Sequence, residues 1–235
     1  MTNTTRTYPG QNDLSQRIAN YEDVEIRTFQ HSNYHTHDIE NDIDPETNFF
    51  HSLNNDCRYY NEEQFNNTIK TSHKLSIIHF NSGSLYANFH NIKYYLGQFS
   101  QPFNIIAITE TWINNERGMD FELEGYEMIC KNRENKNGGG VALFVDKNLT
   151  YKVVENMSTV INYDFECVKI EILIEKTKNI IVSCMYRTPG SNIDSIINWV
   201  AEKFTKTNHK TMFICGDYNI DLLNPKKEQN DRIIH

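Results

Sequence analysis

The rhythm of hydrophobic and polar positions changes at Lys74. Through residues 1–72 the apolar positions keep no sustained period, and loose or absent local structure is the expectation. Glu62-Glu63-Gln64-Phe65 reads as one helical turn there, and Phe49-Phe50 and Tyr59-Tyr60 are placed to dock on the domain beyond residue 72. From Leu75 the chain reads Leu-Ser-Ile-Ile-His-Phe-Asn, a buried strand that ends in an amide at Asn81. Apolar residues at 86, 89, 92, 95, 96 and 99 then keep helical spacing until Pro102 stops it. Phe103 to Thr109 is a second apolar strand, ending at Glu110. A strand, a crossing helix and a strand make a parallel pair, with both strand ends facing the same way. Asn81 and Glu110 are thereby predicted to meet at one rim.

The second half changes texture. A short strand at Met128–Cys130 leads into a charged loop, Lys131 to Lys136. Gly138-Gly139-Gly140 precedes a strand at Val141–Val145; it lacks the helix and Lys of a phosphate loop and predicts a tight turn with close backbone packing. Tyr151–Val154, Cys167–Ile174 and Ile180–Tyr186 read as antiparallel strands, with Lys176–Asn179 as a hairpin turn. Asn192 caps a helix over residues 192–204, apolar at 193, 196, 197, 200 and 204. Met212–Cys215 reads as a buried strand that breaks at Gly216, where glycine lets the backbone turn sharply. Asp217 and Asn219 come next, two apart, so in an extended loop both side chains point the same way. Strand, helix and strand, then a meander, then helix and strand predict an α+β fold of mixed sheets flanked by helices.

Charge divides the chain in the same place. Of the net −8, residues 1–72 carry −7 (five basic, 12 acidic) and residues 73–235 carry −1 (18 basic, 19 acidic). The chain thus has two regions: an acidic N-terminal region, 1–72, expected to be disordered, and a domain over 73–235. Composition excludes a basic nucleic-acid-binding domain, so an enzyme acting on nucleic acid needs a local basic surface or a metal to offset phosphate repulsion. The five Cys form no C-x-x-C pair, and four sit in strand-like runs, which predicts free thiols in a reducing, intracellular setting. No apolar run reaches the ~18 residues of a membrane span, and no signal-peptide core opens the chain. His31, His35 and His37 beside Asp38 offer metal ligands, but a solvated His-rich tract is the favoured reading because nothing anchors them.

Polar groups end four apolar strands: Asn81, Glu110, Tyr186 with Arg187, and Asp217 with Asn219; because each follows an apolar strand, Asn81, Glu110, Asp217 and Asn219 are predicted to converge at one rim of the sheet, with Tyr186 nearby. Any one of these is equally well a turn. Together, a carboxylate that polarises a water and an amide that holds a phosphate oxygen suit metal-assisted phosphate chemistry. The set resembles the endonuclease/exonuclease/phosphatase superfamily, and within it the endonuclease domain of non-LTR (LINE-type) retrotransposons. The residues that carry the resemblance are His79-Phe80-Asn81-Ser82-Gly83-Ser84-Leu85, Ile108-Thr109-Glu110-Thr111-Trp112, Gly138-Gly139-Gly140-Val141-Ala142, Tyr186-Arg187-Thr188-Pro189 and Gly216-Asp217-Tyr218-Asn219, over Leu75 to about Leu223.

The resemblance implies a DNase I-like α/β-sandwich and a Mg²⁺-dependent, DNA-nicking phosphodiester hydrolase that acts in the nucleus. It implies that Glu110, with Asn81 beside it, holds Mg²⁺. Asp217 orients or deprotonates the attacking water, Asn219 binds a phosphate oxygen, Tyr186 lies near the transferring phosphate, and Arg187 lies near the phosphates. The Ile-Thr-Glu-Thr-Trp and Tyr-Arg-Thr-Pro segments favour DNA over the superfamily's other phosphate substrates. The family's Ser-Asp-His strand end and a further Asp have no counterpart here, and Asp231-Arg232-Ile233-Ile234-His235 does not match that strand end. The expectation is therefore a fold incomplete at its C-terminus and an impaired nuclease; the alternative is an inactive retrotransposon-derived remnant or interaction module.

Overall fold

The computed structural model describes residues 59–69, 75–114, 121–133, 138–161, 164–174, 178–204 and 211–220. The His31, His35, His37 and Asp38 tract, Cys57, nearly all of the acidic region, and Asp231 to His235 lie outside the described residues, as do residues 176–177 of the expected hairpin turn.

The first sheet holds β1 (Ile77–Asn81), β2 (Ile105–Thr109), β3 (Tyr126–Lys131) and β4 (Val141–Asp146), in the order β1-β2-β4-β3. β1 and β2 are parallel, joined through helix α2 (Leu85–Leu96), and β4 runs antiparallel to β2 and to β3. The second sheet holds β5 (Tyr151–Val153), β7 (Phe165–Ile172), β8 (Ile180–Arg187) and β9 (Thr211–Asp217) in that order, with β6 (Thr159–Ile161) also paired to β7. β7 and β8 form an antiparallel pair; β8 and β9 are parallel, joined through helix α3 (Ile193–Phe204). Both sheets are mixed and helices flank them, as the pattern predicts. The short β6 was not legible: three residues are too few to show a period.

Strand alternation sorts the side chains into layers. Ile77, Ile105, Ala107, Val141, Leu143, Val145, Val168, Ile170, Ile172, Val182, Cys184, Phe213 and Cys215 share one cluster between the sheets. The alternate residues Ile78, Ile106, Ile108 and Phe144 face outward under α2, with Leu85 and Ile92 of that helix. On the far side Phe165, Cys167 and Met185 lie under Ile196, Trp199 and Val200 of α3. Asn192 accepts from the Asp194 amide at 2.9 Å, which caps α3 as its sequence suggests.

Two expectations change. Helix α1 (Glu62–Thr68), closed by a reciprocal capping box between Asn61 and Gln64, buries Phe65 against Phe99 and Phe103. Residues 61–69 thus dock on the outer layer of the first sheet, although their composition groups them with the acidic region. β9 is also less buried than an apolar run suggests, with Ile214 39% exposed. It is bonded to β8 on one side only among the described residues.

Candidate active site at the strand ends

The apolar inner faces of four strands end in polar residues at one rim. On β1 the inner positions run Ile77, His79, Asn81, and on β9 they run Phe213, Cys215, Asp217. Because β1 is parallel to β2 and β8 to β9, each pair delivers its carboxyl ends to the same edge. There Asn81 Nδ2 donates to Glu110 Oε1 at 2.9 Å and to Asp217 Oδ2 at 2.7 Å, joining the two sheets through one amide. Asn81 is held in turn, since its Oδ1 accepts from the Gly83 amide at 3.1 Å. The predicted convergence at one rim is observed for Asn81, Glu110 and Asp217.

Backbone strain concentrates at this rim. Among the described residues, the non-glycine residues with positive φ are Ser84 (112°), Glu110 (52°), Trp112 (52°) and Asn219 (50°). Each lies at or just past a strand end that carries the site. Such conformations cost about 1–3 kcal/mol each and persist only where surrounding bonds enforce them. Here they are enforced: Ser84 N donates to Glu110 O at 2.9 Å, and Trp112 N donates to Gly139 O at 2.9 Å.

The glycines do what close packing requires. Gly138, Gly139 and Gly140 all have positive φ, and a Cβ on Gly140 would overlap the Thr111 hydroxyl. Gly216 differs from its sequence reading. It does not turn the chain but stays inside β9, paired with Met185, at φ 149°. A Cβ there would overlap the Met185 carbonyl, so the position needs glycine for close approach.

Asn219 also departs from expectation. Asn219 is not extended; at φ 50° its Nδ2 donates to the Arg187 carbonyl at 2.7 Å, and its amide donates to Asp217 Oδ1 at 3.1 Å. It still lines the cleft but is tied to the loop. Arg187 is buried, and its guanidinium donates to the carbonyls of Tyr218 (3.1 Å), Asn219 (2.9 Å) and Ser191 (2.5 Å). It braces the loop beyond β9 through these bonds.

Tyr186 is the register partner of Asp217 and is buried. Burial, and then the negative charge of Glu110, push its phenol up to about 12, so it stays a protonated donor. His79 lines the cleft with Asn81, Asp217 and Asn219, and its Nε2 lies 3.1 Å from Thr109 Oγ1. Burial lowers its pKa to about 4 despite the opposing pull of Asp217, so the ring is neutral near pH 7. The cleft encloses about 510 Å³.

The donor set fits a hard cation. Glu110 and Asp217 share one amide, and among the described residues no ion pair reaches either carboxylate. Arg187 is committed to carbonyls and Arg133 to Glu166. Two carboxylates at an open rim offer oxygen ligands and leave room for water, the environment that Mg²⁺ prefers. Among the described residues no group of three or more His, Cys, Asp or Glu ligands is assembled.

The sequence pattern does not mark Arg133, Glu166 or Thr188 as site residues. Arg133 falls in the run that reads as a charged loop, yet its side chain is 5% exposed and ion-paired to Glu166, itself fully buried.

No family model and no curated protein matches the chain. Among solved structures it is similar to the endonuclease domain of TRAS1, a telomere-specific non-LTR retrotransposon, at 15% identity over 66% of this chain and 69% of that one, with a TM-score of 0.48. It is similar to an AP endonuclease from Archaeoglobus fulgidus at 20% identity over 65% and 62%, TM-score 0.47. A humanized D. rerio TDP2 carrying 14 mutations matches at 14% identity over 65% and 69%, TM-score 0.47. These are partial likenesses of fold.

Proposed function

We propose that the rim is the centre of a Mg²⁺-dependent phosphodiester hydrolase that nicks DNA, of the non-LTR retrotransposon endonuclease type. One observation carries the reading: a single amide, Asn81 Nδ2, bridges Glu110 on one sheet and Asp217 on the other at the mouth of a cleft. DNA as the substrate, and the retrotransposon setting, rest on the Ile-Thr-Glu-Thr-Trp and Tyr-Arg-Thr-Pro motifs.

Each residue has a role in that reading. Glu110 holds the cation, with Asn81 fixing its carboxylate. When bound, the cation offsets the charge of the carboxylates and polarises the phosphoryl oxygen. Asp217 accepts the proton of the attacking water at the carboxylate that Asn81 orients. Tyr186, protonated through the neutral range, donates a hydrogen bond to a phosphate oxygen as negative charge develops there. Asn219 lines the cleft and brings an amide to the substrate without adding charge. Arg187 acts through the loop it braces.

The test is nicking of supercoiled plasmid by the purified chain with Mg²⁺. The expected result is nicking that EDTA stops and that Glu110→Ala lowers by ~10²–10⁴-fold. Equal nicking by wild type and E110A, or none by either, overturns the reading in favour of an inactive retrotransposon-derived remnant or interaction module.

A further inference from the structure

A second polar group lies beneath the rim, and the proposed hydrolysis does not use it. Arg133 lies just past β3 and turns inward; its Nε is paired with Glu166, and its Nη2 donates to Thr188 Oγ1 at 2.5 Å. Its guanidinium carbon lies 5.8 Å from the centre of the Tyr186 ring. Glu166 is the register partner of Tyr186 across β7 and β8, and Thr188 lies two residues beyond Tyr186. The glycine turn is shaped around this arginine, since a Cβ on Gly139 would come within 2.5 Å of the Arg133 guanidinium carbon. Three chain segments thus meet on one side chain: the segment after β3, the start of β7 and the end of β8.

Burying a charge is costly, and a buried ion pair commonly adds little stability over apolar residues of the same size. A pair kept at such a place is therefore better explained by what it orients. Here that is an aromatic ring. The guanidinium is planar, its fork is fixed by Glu166 and Thr188, and a ring lying against its face gains cation–π attraction in one orientation. We propose that Arg133, anchored on Glu166 and Thr188, is a positioning residue that holds the Tyr186 ring so that its hydroxyl serves the rim. The proposal rests on the reading of the rim as a phosphodiester-hydrolysing centre.

The test separates the two. In full-length protein labelled with 3-fluorotyrosine, the ¹⁹F line of Tyr186 is identified by its loss in Tyr186→Phe. Arg133→Met alone leaves Glu166 buried and unpaired and risks unfolding, so the deciding variant is R133M/E166M, which removes both charges and keeps the volume. The expected result is a Tyr186 line that moves and broadens while circular dichroism is unchanged. A line of unaltered position and width in the folded double variant overturns the proposal. In the nicking assay, R133M/E166M is expected to lower kcat by ~10²-fold with KM unchanged, and adding Y186F to it should cost nothing more. Full additivity of the two changes overturns the positioning role. If wild type does not nick, the functional reading fails, and the fluorine result still decides whether Arg133 holds Tyr186.

Discussion

Replacing Gly216 by Ala tests how the second sheet delivers Asp217 to the rim. The added Cβ meets two separate penalties. The first is conformational: φ 149° belongs to a region held almost entirely by glycine, and an L-residue there costs about 1–3 kcal/mol. The second is steric: the Cβ would overlap the Met185 carbonyl of the paired strand, and backbone, unlike a side-chain tip, cannot rotate away. Overpacking of this kind adds about 1–3 kcal/mol. A loss of about 2 kcal/mol is the lower end of what the two predict together, or roughly 6 °C in Tm for a domain of this size. Gly125→Ala is the control, because Gly125 also has positive φ (83°) but a Cβ there meets nothing within 4 Å. It should lose only the conformational part, about 1 kcal/mol. Urea denaturation of both variants decides the matter: if G216A is no less stable than G125A, the close approach of β9 to β8 is not what requires glycine.

Two further perturbations probe other layers. Phe65→Ala removes the ring that α1 places against Phe99 and Phe103 and should cost about 3 kcal/mol by urea denaturation; no loss would mean that residues 61–69 do not belong to the folded unit. His79 gives a pH dependence whose sign is set by its lowered pKa. Between pH 6.5 and about 4 the unfolded chain binds a proton that the folded chain refuses, so stability falls as pH drops through that window, by up to ~3 kcal/mol. Stability curves measured without metal should show this slope in the wild type and lack it in His79→Gln; parallel curves would show that the ring is not held neutral.

How much of the site is legible in the sequence depends on the range of each interaction. Asn81 and Glu110 could be placed together because a strand, a helix and a strand fix direction locally. Asp217 could be placed at the same rim because it too follows an apolar strand, but its bond to Asn81 could not be read, since the pairing of sheets face to face leaves no local trace; the two residues are 136 positions apart. The information lay in the inner-face alternation 77, 79, 81 and 213, 215, 217, which becomes decisive once the apolar members are known to share a cluster. Gly216 misled because a glycine at the end of an apolar run has two uses, turning and close approach, and only the neighbouring carbonyl tells them apart. Arg187 is ambiguous for a related reason: a cation beside a phosphate site and a cation bracing a loop look alike in sequence. Arg133 was hidden most completely, since its surroundings are charged and Glu166, which makes its burial tolerable, lies 33 residues on. The site therefore has two kinds of residue. Those at the ends of apolar strands, Asn81, Glu110, Tyr186 and Asp217, are visible because the core imposes a period up to their position. Those that orient them, Arg133 and Arg187, reach in from connecting segments that carry no period, and only the fold shows what they hold.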